Sequence, residues 1–195
     1  MRRAVLTTAA LSLLLLSGVA NAQPAVLAPG THPMWASLAL GPAINLDHSA
    51  TQFKLIETFG YHPMGRAAGP AIALDVQEGF GNHFTSIEVG PKFLWDIQPV
   101  HNLGLYLAPS LMLGYLYYTG AGGGNCNSVL AYEFDLPCPG GRPGTSFFDM
   151  QFGFEGRLVL ADRWLVSFRP FTLDLGIRSD VSMRYDMMFG GGAIF

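Results

Sequence analysis

Charge is scarce in this sequence. Only 13% of its 195 residues are Asp, Glu, Lys or Arg, about half the share of an ordinary soluble domain, which argues against a conventional water-facing surface. Basic residues number 11 against 14 acidic ones, and no basic patch or stripe forms, so nucleic acid is not an expected partner. There are two cysteines, Cys126 and Cys138. They lack CxxC spacing and a nearby His, which argues against a thiolate metal or redox centre. Past the N-terminal segment no apolar run reaches the roughly 18 residues of a membrane-spanning helix.

What is abundant is apolar and small: half of the chain is hydrophobic, 12% is aromatic, and Gly occurs 24 times. The first residues account for part of this. Arg2 and Arg3 form a basic head, Leu6 to Val19 an apolar stretch, and Ala20-Asn21-Ala22 a small-x-small cleavage site. That is the pattern of a secretory signal. The expected division is a signal peptide over 1–22 and one barrel domain over 23–195. The mature part begins at Gln23 with nine basic and fourteen acidic residues, a net charge of −5.

The rest of the apolar content follows a period of two. Phe148, Met150, Phe152, Phe154, Leu158 and Leu160 share one face of the segment 147–160, while Asp149, Gln151, Gly153, Glu155 and Arg157 share the other. A strand separates two such sets cleanly, whereas helical spacing scatters them. Ala161-Asp162-Arg163 reads as a tight turn into 164–176. There Thr172 and Asp174 fall in phase with Trp164, Val166 and Phe168 unless a bulge near Arg169-Pro170 resets the register. Upstream, Ile87, Val89, Phe93, Trp95 and Ile97 oppose Ser86, Glu88, Gly90, Lys92 and Asp96, and Ile72, Leu74 and Val76 oppose Ala71, Ala73, Asp75 and Gln77. In the next segment Leu103 to Tyr117 present a greasy face against Gly104, Ala108, Ser110 and Gly114, small residues that leave room inside a narrow barrel. Weaker strands at 34–41 and 52–61, the second with Glu57 on its apolar face, and a last one at 182–195 bring the count to eight.

Connection lengths give an independent test, because outer-membrane barrels put short turns on the periplasmic side and longer loops outside. The second, fourth and sixth connections (62–65, 98–102 and 161–163) are short. The longest, 119–146, is the fifth and falls outside. The expected fold is all-β: an eight-stranded antiparallel up-and-down transmembrane barrel in the bacterial outer membrane.

The final segment carries a resemblance. Met183, Tyr185, Met187, Phe189 and the terminal Phe195 alternate with Arg184, Asp186 and Gly190. This resembles the C-terminal strand of bacterial outer-membrane β-barrels, and the 152–164 hairpin is similar to those of small eight-stranded barrels of the OmpA/OmpX-like type. The resemblance implies fold and location, outer-membrane lipid as surroundings, and Phe195 as a recognition mark for the barrel-assembly machinery. It implies no activity. Gly191, Gly192 and Ala193 are smaller than the residues such strands usually carry there.

Three groups of residues bear on function. Cys126 and Cys138 flank part of the long external loop, and export to an oxidising compartment makes a disulfide the expected state, constraining the unfolded chain by about 3 kcal/mol in the chain-entropy account. Lys54, Asp75, Glu88, Lys92, Asp149, Glu155, Arg157, Arg169, Arg184 and Asp186 fall on the inferred inner face, where an eight-stranded barrel is only wide enough to be filled by side chains. Trp35, Tyr61, Trp95, Tyr115, Tyr117, Tyr118, Trp164 and Tyr185 lie toward strand ends, as interface girdles do. The histidines are scattered, so no metal or cofactor is expected. His48-Ser49 and His83 with Ser86 supply residue types used by outer-membrane lipid-modifying enzymes without a matching pattern, so no enzyme is expected.

The expected function is a structural, adhesive or interaction barrel with an external partner met through 119–146. The alternatives are a narrow pore, a soluble exported barrel carrying a lipophilic ligand, and a lipid-modifying enzyme.

Overall fold

A computed structural model describes residues 33–46, 51–65, 68–81, 84–99, 104–120, 145–177 and 181–195. Eight strands follow one another: β1 (Met34–Asn45), β2 (Thr51–Tyr61), β3 (Gly69–Phe80), β4 (Phe84–Asp96), β5 (Leu105–Gly120), β6 (Thr145–Leu160), β7 (Trp164–Ile177) and β8 (Val181–Ile194). Each pairs antiparallel with the next, and β8 returns to β1, closing the barrel. Closure leaves no unpaired edge, a condition for β-structure in lipid, where a bare backbone group finds no water. Phe195 completes the seam. Its backbone N–H donates to the Met34 carbonyl at 2.9 Å, and that of Met34 donates back at 3.1 Å.

The alternation seen in the sequence decides which way each side chain points. Phe53, Phe59, Ile72, Leu74, Ile87, Phe93, Phe152, Phe154, Phe168 and Phe189 are exposed on the outer wall, whereas Lys54, Asp75, Glu88, Asp149, Glu155 and Arg184 are buried inside. A soluble barrel has the opposite polarity. This is a transmembrane barrel, apolar toward lipid and polar within. Among the described residues Glu57 and Glu78 are the strand charges outside that rule: both lie in phase with the outer apolar residues of β2 and β3.

The bulge expected near Arg169-Pro170 is present. The β7–β8 register shifts between Arg169 and Thr172, and the β6–β7 register shifts between Phe154 and Gly156. Pro170 has no N–H to give the ladder, and its carbonyl accepts from the Tyr185 hydroxyl instead. The shift turns Thr172 and Asp174 inward and Phe171 outward. At the 161–163 turn Ala161 (φ 50°) and Asp162 (φ 57°) are both left-handed, and Arg163 N–H donates to the Leu160 carbonyl at 3.2 Å. Two left-handed central residues are the mark of a type I′ hairpin turn, whose twist matches that of the flanking strands.

Other expectations need correction. Trp35 and Tyr118 belong to no interface girdle; both are inside and buried, because each alternates with an outward neighbour (Met34 and Tyr117). The inner face of β5 is not made of small residues alone: Tyr106, Met112, Leu116 and Tyr118 are buried there with Ala108. The connection from β4 to β5 spans 97–104 and is longer than those at 81–83 and 178–180 on the opposite side. The inference about sidedness thus rests on the 121–144 connection alone.

Glycine at the closure seam has a steric cause. A Cβ on Gly192 would come within 2.1 Å of the Ala36 carbonyl oxygen, so the small residues before Phe195 are what lets β8 lie this close to β1.

Candidate functional site

All ten inner-face residues named from the sequence (Lys54, Asp75, Glu88, Lys92, Asp149, Glu155, Arg157, Arg169, Arg184 and Asp186) are buried. They come from strands β2 to β4 and β6 to β8 and meet across the lumen in three tiers.

The tier nearest the chain ends centres on Asp96. Arg157 pairs with one of its oxygens, and His62 Nε2 lies 2.7 Å from the other. The Arg157 guanidinium also lies over the Trp35 ring, 4.5 Å from its centroid, and the His62 ring is 4.8 Å from the same indole. Trp35 reaches this position because Gly60 has no side chain: a Cβ there would fall 2.0 Å from the indole. Trp35, Ala71, Ala73, Leu94, Ala108 and Leu165 pack around it as an apolar layer.

In the middle tier two acids face two bases. Glu155 Oε2 accepts from Lys92 at 2.9 Å and lies 3.0 Å from Arg169 Nε. Asp75 Oδ2 lies 3.2 Å from Arg169 Nη1 and 3.5 Å from Lys92, and Arg169 also donates to Thr58 Oγ1 at 2.9 Å. Each charge thus has two opposite partners, which a buried ion needs if it is to offset its lost hydration.

The third tier, toward the long β5–β6 connection, is the most acidic. Lys54 donates to Asp174 at 2.8 Å and Asp186 at 2.7 Å. Arg184 reaches Asp174 at 2.6 Å, Asp149 at 3.3 Å and the Tyr118 hydroxyl. Gln151 donates to Glu88 at 2.7 Å and exchanges bonds with Gln77 at 3.0 and 3.2 Å. Ligand atoms of Glu88, Asp149 and Asp174 lie within 4.8 Å of one another. Leu116, Tyr118 and Phe147 form an apolar cluster at this end.

The list drawn from the sequence omitted Asp96, Asp174, His62, Gln77, Gln151 and Tyr118. Asp96 shares the alternation of Glu88 and Lys92 and was within reach of the same argument. Asp174 required the bulge to be taken literally, and His62 lies just past the end of its strand.

Cys126, Cys138 and the loop residues 121–144 lie outside the described residues, as do 1–32, His48, Ser49, His83 and His101. Ser86 is described and buried in the lumen, with Oγ 3.5 Å from Gln52.

No known family profile matches the sequence, and no curated protein sequence matches it either. Solved structures do match in fold. The N-terminal β-barrel domain of Pseudomonas aeruginosa OprF is 12% identical, with a TM-score of 0.53 over 83% of this chain and 97% of that one. Neisserial surface protein A is also 12% identical, with a TM-score of 0.54 over 87% of this chain and 100% of that one. The chain thus has the fold of small eight-stranded outer-membrane barrels, at identities that speak to fold alone.

Proposed function

We propose that this chain is a non-enzymatic outer-membrane barrel that anchors and displays its β5–β6 connection on the cell surface rather than conducting through its lumen. The observation that carries this reading is the occupied interior. Tiers of ion pairs link strands that are not neighbours, with Arg169 of β7 reaching Asp75 of β3 and Lys54 of β2 reaching Asp174 of β7, and buried apolar clusters share the same interior. An interior crossed by paired side chains offers no continuous water column.

The reading includes export with loss of residues 1–22, lipid around the apolar wall, and assembly of the barrel through the strand that ends at Phe195. It also includes a Cys126–Cys138 disulfide and an external partner recognised by the loop 119–146, where Val129, Leu130, Tyr132 and Phe134 stand among Glu133 and Asp135. Charge inside and hydrocarbon outside count against a soluble carrier of lipophilic ligands. Ser86, turned into the lumen, counts against a hydrolytic surface site built on it.

The test is electrical. The purified barrel, reconstituted in a planar lipid bilayer, is expected to give no steady current steps. Reproducible single-channel steps from the folded, heat-modifiable species would replace this reading with that of a narrow pore.

A further inference from the structure

We draw no further inference here: the strongest candidate, the inward cluster of Glu88, Asp149 and Asp174 in the third tier, is already held by Lys54, Arg184 and Gln151, and nothing else among the described residues points to a ligand there.

Discussion

The guanidinium of Arg157 lies over the indole of Trp35, 4.5 Å from its centroid, while pairing with Asp96, so one side chain ties β6 to both β1 and the end of β4. Removing it strands Asp96 in the interior with His62 as its remaining partner. Arg157→Ala is expected to cost about 3–5 kcal/mol, the usual penalty for leaving a buried charge unpaired. Urea unfolding followed by tryptophan fluorescence checks this, and a loss under about 1 kcal/mol would show that water reaches Asp96.

On the outer wall, Phe154 lies in the middle of β6, with Pro109 and Phe171 beside it in register. Phe154→Arg is expected to cost about 2–4 kcal/mol if its depth is near the bilayer midplane. Glu155→Leu, one residue away, should also destabilise, but for the opposite reason: it leaves Lys92 and Arg169 short of an acid. Tolerance of both changes in vesicle refolding would reverse the assignment of faces.

Glu57 and Glu78 stand diagonally across β2 and β3, since Glu57 pairs with Val76 and Leu55 with Glu78. Like charges on a lipid-facing wall oppose each other and resist dehydration. Glu57→Leu is therefore expected to stabilise the barrel by roughly 1 kcal/mol, less than a basic side chain there would cost. Its urea midpoint should rise; a fall would indicate a favourable partner for the carboxylate.

The turn at Ala161 and Asp162 holds two left-handed non-glycine residues, each strained by roughly 1 kcal/mol. Ala161→Gly is expected to raise stability by up to about 1 kcal/mol, measured as slower unfolding in urea. A loss would mean that the added freedom of the unfolded chain outweighs the strain.

Most of the wall was legible in the sequence because lipid imposes one rule on every strand: Phe148 to Leu160 could alternate in only one way. The inner partners were less legible. That Glu155 meets Lys92 and Arg169 depends on shear around the closed barrel, which no local pattern encodes, and Asp174 enters the lumen only through the bulge at Pro170. Trp35 and Tyr118 were misplaced because an aromatic near a strand end suits an interface or a plug equally well. The phase of the neighbours decides between them.

The polarity of the wall is the central claim, and the three tryptophans test it most directly. Trp95 and Trp164 face outward at 58% and 46% exposure, while Trp35 is inside at 2%. Single-tryptophan forms, made by replacing the other two with Phe and refolded into vesicles of brominated lipid, separate the two faces by fluorescence quenching. Strong quenching of Trp95 and Trp164 with Trp35 spared is the predicted result. Quenching of Trp35 with Trp95 and Trp164 spared would put the opposite face against lipid, and no quenching of any of the three would mean that the barrel stays out of the bilayer; either result contradicts the account.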